Sequence, residues 1–383
     1  MAIFNVKRMD EMSNLNKLCF VSNSGWALYN FRSELMKHLE ETGYLIECVT
    51  YADKFSSKLE HKTYPILGHP HSTNILYELT GLIRLSFFFI RKDYSLIMAY
   101  TVRSCLEISL VNLLIKRPLI LSITGLGILN RKDSNFLRTI LLIACRWLFK
   151  SKHIKRFVFQ SENDREFFLN NGLCKKEQTS LVPGSGVNLT THKKSFSKFK
   201  DTFTFLHMSR LLKSKGVKEF CEAAEELKSH NVRFLLAGEL EKLDKDAISE
   251  EFINKHIRRE NIEYLGFVDN IPDLLSHVNS IVLLTTYPEG IPRSLIEAAA
   301  SGKILISSKQ PGCMEIVKNG YNGYTIDVNK HSLISCMKDL LDLPLEQKVS
   351  LSKNSRELAR EKFDINIVNG IYEKIIKDSI YVK

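Results

Sequence analysis

Several kinds of segment and site are missing from this sequence of 383 residues. Its eight cysteines form no Cys-x-x-Cys pair and no cluster with histidine, which favours reduced thiols in a cytoplasmic protein and gives no sign of a metal site. No run of eighteen uncharged apolar residues occurs, so we expect no transmembrane helix. Residues 1–16 are polar and charged, and we expect no conventional secretory signal there. A complete Gly-x-Gly-x-x-Gly fingerprint, typical of nicotinamide-binding domains, is also missing.

The order of the sequence patterns predicts an α/β protein with two doubly wound parallel sheets. A chain of this length with 44% hydrophobic and 25% charged residues fits two or three globular domains. Strand-like runs alternate with helical patterns at 18–22, 45–50, 94–101, 118–124, 157–160 and 180–183, and again at 202–208, 232–237, 262–267, 281–286, 303–307 and 323–326. We predict a Rossmann-like domain at 17–187, a linker at 188–201, a second Rossmann-like domain at 202–364, and a C-terminal helix at 365–383 that packs at the domain junction.

Positive charge is concentrated in the first half of the chain. Residues 1–190 hold 25 Lys and Arg against 16 Asp and Glu, whereas residues 191–383 hold 29 against 27. An excess of this kind fits a nucleic acid, an anionic membrane or an anionic substrate. No nucleic-acid-binding motif is present, so we expect no nucleic acid partner.

The basic amphipathic segment 136–156 favours a membrane surface as the partner. It combines a long apolar stripe with Arg138, Arg146 and Lys150 within about a third of a helical circumference. Residues 82–92 are a second, weaker candidate. The alternative is that both segments are ordinary core helices with basic outer faces, and the sequence leaves the two interpretations open.

Glu289 and Glu297 stand in a context that suits a ligand site. Residues 280–286 are typical of a buried parallel strand, and Pro292 begins a short helix after it. Glu289 therefore follows a strand at its carboxyl end, where ligands bind in open α/β sheets. Two carboxylates beside a helix N-terminus suit a polyol and a phosphate. The alternative is a pair of surface carboxylates that form ion pairs.

Two cations follow another predicted strand. Arg210 and Lys215 come after the strand at 202–208, and such cations at a strand's carboxyl end suit a diphosphate, although basic loops without a ligand are common. Gly238 and Gly25 each follow a predicted strand, where the backbone can approach a ligand or simply turn.

These motifs resemble those of the retaining glycosyltransferases with the GT-B fold, in the family that contains glycogen, sucrose and mannosyl synthases. The matching motifs are Ser-Arg-Leu-Leu-Lys-Ser-Lys-Gly-Val (209–217), Leu-Ala-Gly-Glu (236–239), Tyr-Leu-Gly-Phe-Val (264–268) and Glu-Gly-Ile-Pro-Arg-Ser-Leu-Ile-Glu-Ala (289–298). The first half resembles the subset that extends lipid-linked bacterial surface polysaccharides, through Ile-Thr-Gly-Leu-Gly (123–127), Phe-Gln-Ser-Glu-Asn-Asp (159–164) and Val-Pro-Gly-Ser-Gly-Val (182–187).

The resemblance implies two domains facing across a cleft, a nucleotide-sugar donor, a UDP-sugar above all, and a lipid-linked or membrane-associated glycan acceptor. It implies no metal and no cofactor, and a peripheral location on the inner face of the membrane. Glu289, Arg210 and Lys215 would be catalytic, with Arg210 and Lys215 on the diphosphate. Glu289→Ala or Lys215→Ala is expected to abolish transfer and leave the fold intact. The nucleotide-sugar-binding residues would be Gly25, Arg210, Lys215, Gly238, Val268, Glu289, Gly290, Ile291, Pro292, Ser294 and Glu297.

Two departures from the family and three rival interpretations remain. Many relatives have a histidine where this chain has Thr124-Gly125, which leaves the donor sugar open. Many also have paired glycines where this chain has only Gly25. One rival is a sugar-nucleotide epimerase on the same scaffold, and another is a non-catalytic nucleotide-binding membrane scaffold. A metal-dependent transferase is suggested only by Asp244-Lys-Asp246, which we interpret as the solvated face of a charged helical stretch.

Overall fold

The computed structural model describes residues 16–67, 75–130, 135–192, 202–228, 230–240, 244–259, 262–287 and 289–381. It divides the chain into two compact units, one of Met1–Ser185 with Ile365–Lys383 and the other of Gly186–Asp364. Within the described residues, no helix is long and apolar enough to span a bilayer.

The first unit is built around seven parallel strands. These are β1 (Lys17–Ser22), β2 (Leu45–Tyr51), β3 (Lys62–Leu67), β4 (Leu96–Tyr100), β5 (Leu119–Ile123), β6 (Ile154–Phe159) and β7 (Thr179–Leu181), in the order β3-β2-β1-β4-β5-β6-β7. The helices described are α1 (Gly25–Glu41), α2 (Ile75–Ile90), α3 (Val102–Ile115), α4 (Asn135–Leu148), α5 (Glu162–Asn170) and α13 (Ile365–Tyr381). The central strands are apolar on both faces because helices cover both.

The helices of the first unit form two layers. α2, α3 and α4 bury Leu85, Cys105 and Cys145 on one face of the sheet. α1 and α13 cover the other face, where Leu35 and Tyr372 lie in the core. α13 contacts α1, β4 and β6, so this last helix completes the first unit.

The second unit repeats the same design with six parallel strands. These are β8 (Phe203–Met208), β9 (Val232–Ala237), β10 (Glu263–Gly266), β11 (Ser280–Leu283), β12 (Ile304–Ser308) and β13 (Gly323–Ile326), in the order β10-β9-β8-β11-β12-β13. The helices are α6 (Val217–Glu226), α7 (Glu250–Arg258), α8 (Ile271–Ser276), α9 (Arg293–Ala300), α10 (Pro311–Ile316), α11 (Lys330–Asp342) and α12 (Leu345–Lys362). In both sheets the strand order reverses beside the first strand of the unit, which is where open α/β sheets bind ligands.

The predicted class, two doubly wound parallel sheets, is confirmed, but two elements differ from the sequence prediction. β3 was not predicted, because Lys62-Thr-Tyr-Pro-Ile-Leu67 contains a proline and lies at the sheet edge. The helical pattern after β1 predicts a helix over residues 30–41, whereas α1 begins at Gly25, because the hydroxyl of Ser24 accepts a hydrogen bond from the Ala27 amide and caps the helix there.

Candidate active site

The candidate site lies where the strand order of the second sheet reverses. β8 pairs with β9 on one side and with β11 on the other, and Val282 lies opposite His207. Connections leave these two neighbouring strands in opposite directions, which opens a crevice at their carboxyl ends. Arg210 and Lys215 follow β8, and Glu289 follows β11. The topology therefore brings three predicted site residues to one edge of the sheet.

Lys215 and Glu289 form an ion pair between the two loops. Lys215 ends a single 3-10 turn, Lys213–Lys215, and its Nζ donates a hydrogen bond to Oε1 of Glu289. The lysine side chain is only 7% exposed, whereas the glutamate side chain is 25% exposed. Burial removes hydration from the ammonium group, and the attraction of the paired carboxylate offsets the free-energy cost of that desolvation. The Nζ also lies 5.6 Å from the ring centroid of Tyr287.

Backbone contacts hold the two loops together. The Thr286 amide donates to the Ser214 carbonyl over 2.8 Å. Gly216 has φ +78°, and a Cβ there would lie 2.5 Å from Cβ of Leu284. No residue with a side chain fits this close approach without displacement. The position of Lys215 therefore depends on the β11 loop as well as on its own.

Asp246 supports the lysine loop from a third segment. Its Oδ2 accepts a hydrogen bond from the Ser214 amide (3.1 Å), and its carbonyl accepts one from the Lys213 amide (2.8 Å). The interpretation of Asp244-Lys-Asp246 as a solvated helical face is wrong, because this stretch is not helical and Asp246 is only partly exposed. Sequence patterns do not show such a contact, since the two segments are distant along the chain.

Arg210 is the exposed cation of the site. Its side chain makes no ion pair with any residue in the part of the chain that the structure describes. Its carbonyl accepts a hydrogen bond from Oγ of Ser209 (2.8 Å). Gly238 has φ +148°, and a Cβ there would lie 1.8 Å from the Ser209 carbonyl oxygen. The close approach at Gly238 is therefore to the backbone that carries Arg210.

His207 is a residue of this region that the sequence pattern did not single out. It lies on β8, fully buried, with Nε2 2.9 Å from Oγ of Ser209. Because that hydroxyl donates to the Arg210 carbonyl, we assign the ring proton to Nε2, which donates to Ser209. Burial, and then the charge of Lys215, lower the pKa of His207 to about 3. The only signal in the sequence is a polar residue within an apolar strand just before the cationic loop.

The residues after Glu289 lead directly into α9. Ile291 is buried, Pro292 is the residue before the helix, and Ser294 lies half-buried in the first turn. Glu297 accepts a hydrogen bond at Oε1 from Nε of Arg293 (2.8 Å) and is 13% exposed. The two predicted glutamates thus have different basic partners, Lys215 and Arg293.

A close contact with α10 fixes the loop that contains Glu289 and Gly290. A Cβ on Gly312 would lie 2.0 Å from the Gly290 carbonyl oxygen and 2.7 Å from that of Glu289. Cys313, next to it, is 1% exposed, and burial raises the pKa of its thiol to about 11. The thiol is therefore an inert packing group, and the glycine allows α10 to lie directly against the glutamate loop.

Val268 lies on the loop after β10. It is partly buried against the core cluster that includes Leu275. The next residues lead into α8, whose first turn is capped by Asn270 through a hydrogen bond from the Asp273 amide (3.2 Å). The loop is held by this cap at one end and by packing at the other.

Gly25 belongs to the first unit, where its backbone meets a carboxylate. Asp53 accepts hydrogen bonds from the amides of Trp26 (3.1 Å), Phe55 (2.9 Å) and Ser56 (2.8 Å). A Cβ on Gly25 would lie 2.4 Å from Oδ1 of Asp53. The need for glycine is explained by this contact at the N-terminus of α1.

The chain shares sequence with known glycosyltransferases. Residues 189–358 match the family described as Glycosyl transferases group 1. The Campylobacter jejuni N,N'-diacetylbacillosaminyl-diphospho-undecaprenol alpha-1,3-N-acetylgalactosaminyltransferase is 27% identical over 390 residues, which cover 94% of this chain and 100% of the relative. The Escherichia coli UDP-Gal:alpha-D-GlcNAc-diphosphoundecaprenol alpha-1,3-galactosyltransferase is 24% identical over 239 residues, which cover 57% of this chain and 60% of the relative.

Solved structures of low sequence identity share the fold. Anabaena Alr3699/HepE in complex with UDP and glucose has a TM-score of 0.78 at 20% identity and covers 94% of this chain and 99% of its own. Sucrose-phosphate synthase from Thermosynechococcus elongatus has a TM-score of 0.77 at 16% identity and covers 96% and 100%. Residues 189–358 therefore match the glycosyl transferases group 1 family, and the chain has the GT-B fold of these solved structures.

Proposed function

We propose that the chain is a retaining, metal-independent glycosyltransferase that moves a hexosyl or N-acetylhexosaminyl group from a UDP-sugar to a lipid-linked glycan acceptor. Its product belongs to polysaccharide or lipopolysaccharide biosynthesis. The observation that carries the proposal is the Lys215–Glu289 pair beside the exposed Arg210, at the strand-order reversal of a group 1 domain. This arrangement offers two cations to a diphosphate and a carboxylate to a sugar.

The proposed reaction breaks the bond between the anomeric carbon and the diphosphate and joins that carbon to an acceptor hydroxyl on the same face. Arg210 and Lys215 offset the negative charge that develops on the leaving diphosphate, which takes up the hydroxyl proton. Glu289 is already bound to Lys215, so we do not assign it as a covalent nucleophile. Its carboxylate contacts the sugar and stabilises the oxocarbenium-like transition state.

The names of the two relatives support this donor and acceptor. Both are named for a diphospho-undecaprenol acceptor and an alpha-1,3 linkage, and one is named for UDP-Gal. The Anabaena structure contains UDP and glucose. Because common UDP-hexoses are α-linked, an α-linked product is consistent with retention.

The remaining predicted residues receive roles in nucleotide binding. We propose that Glu297 binds the ribose through Oε2, since Oε1 is bound to Arg293. The Val268 loop holds the base, and residues 290–294 contact sugar hydroxyls or phosphate. We propose that Gly238 and Gly25 allow the backbone to approach the donor. Each glycine also makes room for a contact within the protein.

We propose that the protein works on the inner face of a membrane, where a lipid-linked acceptor is held, and that segment 136–156 contributes to membrane contact. Arg146 and Lys150 are exposed in this segment. Arg138 and Arg146 each donate from Nε to a backbone carbonyl, that of Leu129 (3.0 Å) and that of Asn171 (2.8 Å), so both cations also have a role inside the protein.

The test is a transfer assay with UDP- and GDP-sugars against diphospho-polyprenyl acceptors, followed by linkage analysis. We expect Lys215→Met and Arg210→Ala each to lower turnover on the order of 10²–10³-fold. Lys218→Ala is the matched control, because Lys218 is 60% exposed and pairs only weakly with Glu222 over 3.8 Å. Near wild-type transfer by Lys215→Met would remove the site assignment.

Incubation with donor alone separates the rival functions. An epimerase converts the donor sugar without an acceptor, whereas the proposed transferase leaves its configuration unchanged. A non-catalytic scaffold binds UDP and gives no product with any donor and acceptor pair. A β-linked product from an α-linked donor would refute retention.

A further inference from the structure

The three helices on one face of the first sheet form a continuous layer. α3 contacts both α2 and α4, and all three bury their inner sides in the same core cluster. The layer has an inner side fixed by Leu85, Ile108 and Leu148 and an outer side that no described element covers. We call this outer side the α2–α4 face.

Large apolar side chains are concentrated on the α2–α4 face. On α2 they recur at helical spacing, and the same is true of α4. The exposed members are Leu79, Ile83, Phe87 and Ile90 on α2, Leu110, Leu113 and Leu114 on α3, and Ile140, Ile143 and Trp147 on α4. Leu114 is 65% exposed and Trp147 is 64% exposed. Contiguous apolar surface of this kind marks an interaction site on a protein of ordinary composition.

An apolar groove of about 260 Å³ runs between α2 and α3. Its lining is hydrocarbon except for one hydroxyl, and consists of Leu82, Ser86, Leu110, Val111, Leu113 and Leu114. The hydroxyl of Ser86 donates to the Leu82 carbonyl (2.8 Å), so it is satisfied within its own helix. Such a groove suits a hydrocarbon chain better than a polar peptide.

Unpaired cations lie at the ends and sides of the same helices. Arg84, Arg91, Lys116 and Lys150 are exposed and make no ion pair within the described part of the chain. The nearby acid Asp93 is bound to Arg117 (2.9 Å). A second copy docked on this face would bring like charges together, whereas anionic lipid headgroups would pair with them.

We propose that the α2–α4 face lies in the interface of an anionic phospholipid bilayer, with the groove between α2 and α3 occupied by a lipid hydrocarbon chain. The apolar stripes enter the acyl boundary, while the long arginine and lysine side chains reach the headgroups. The contact is thus wider than segment 136–156 and depends mainly on three apolar stripes. It rests on the proposed function only in that a lipid-linked acceptor requires the enzyme at a membrane.

Trp147 provides a direct probe of this contact. The chain has two tryptophans, so Trp26→Phe leaves Trp147 as the single emitter. We expect its emission to shift to shorter wavelength and to be quenched by brominated lipids when vesicles of phosphatidylglycerol and phosphatidylcholine are added. Phosphatidylcholine alone should bind more weakly, and added salt should weaken binding to the anionic vesicles. Unchanged emission in a sample that sediments with vesicles would overturn the assignment of this face.

Single charged substitutions test the wider surface. Phe87→Glu and Leu114→Glu should each weaken vesicle binding about ten-fold or more, because each removes an apolar side chain from the acyl boundary. Leu345→Glu is the matched control, since Leu345 is exposed (46%) on a helix of the second unit. Equal loss in all three variants, or a lipid-free dimer that Leu114→Glu disperses, would refute the proposal.

The enzyme assay separates this proposal from the proposed function. Phe87→Glu should keep transfer to a short-chain, water-soluble acceptor and lose transfer to the same acceptor embedded in vesicles. If no acceptor is glycosylated while Trp147 still enters the bilayer, the proposed function fails and the membrane face stands. If both variants use vesicle acceptors normally, the membrane face fails and the proposed function stands.

Discussion

Removal of Glu289 should destabilise the protein more than removal of its partner Lys215. Glu289→Ala leaves an ammonium group that is 7% exposed without a carboxylate, whereas Lys215→Met leaves a carboxylate that is 25% exposed and open to water. The asymmetry follows from this difference in exposure, because hydration compensates the more accessible charge. The sequence pattern alone predicts no effect of either change on folding.

The expected magnitude follows from the burial of the pair. Breaking a buried ion pair from one side costs about 3–5 kcal/mol, and the partial exposure of Glu289 places its removal near 3 kcal/mol. In a unit of this size that corresponds to a fall in Tm of roughly 6–12 °C. For Lys215→Met we expect about 1 kcal/mol or less, because the remaining carboxylate is hydrated.

Thermal unfolding with and without UDP measures both parts of this prediction. UDP should restore much of the lost stability of Glu289→Ala, since its diphosphate supplies the missing negative charge to Lys215. It should stabilise Lys215→Met less than the wild type. Equal Tm values for the two variants, or a larger loss in Lys215→Met, would show that the pair does not control stability as described. If UDP raises the Tm of Glu289→Ala no more than that of the wild type, Lys215 does not bind the diphosphate.

Three further predictions concern the neighbours of the site. Gly312→Ala should lower the free energy of unfolding by about 1–3 kcal/mol and lower the transfer rate, because its Cβ would lie 2.0 Å from the Gly290 carbonyl oxygen. Gly370→Ala is the control: a Cβ there meets no atom within 4 Å, so neither thermal unfolding nor transfer should change. Asp246→Ala should weaken UDP binding about ten-fold, because it releases the lysine loop. Asp246→Asn should keep most of the UDP affinity, because its amide oxygen still accepts the hydrogen bond. Equal UDP affinities of the two variants in calorimetry would contradict this role. His207→Gln should reduce the loss of stability in acid. Below pH 6.5 the histidine binds a proton in the unfolded chain but not in the folded state, where its pKa is about 3. Between pH 7 and pH 5 the free energy of unfolding, measured by urea titration, should therefore fall by about 2 kcal/mol more in the wild type than in the variant.

The sequence was sufficient to predict the fold, and it also predicts which candidate site residues follow neighbouring strands. Buried parallel strands are continuous apolar runs, so β8 and β11 are visible, and the residues after them must meet at one sheet edge. Arg210, Lys215 and Glu289 are therefore expected at the same sheet edge from the sequence alone.

The contacts that hold the site are not predictable from those patterns. The support of the lysine loop by Asp246 joins segments more than thirty positions apart, and local periodicity carries no information on such a pairing. The buried His207 resembles any polar residue in a strand. Gly25 and Gly238 look like ligand-binding glycines, but the atoms that crowd them belong to Asp53 and Ser209.

α13 belongs to the first unit but is synthesised on the ribosome after the whole second unit. The second unit is encoded between two parts of the first, so its residues emerge before α13 is available. Until then, the sheet face that packs against Tyr372 and Ile376, where Met98 lies, lacks part of its cover. Nascent chains that stop before residue 365 should therefore contain a folded second unit and an incomplete first unit with exposed apolar surface. We expect chaperones to bind such chains.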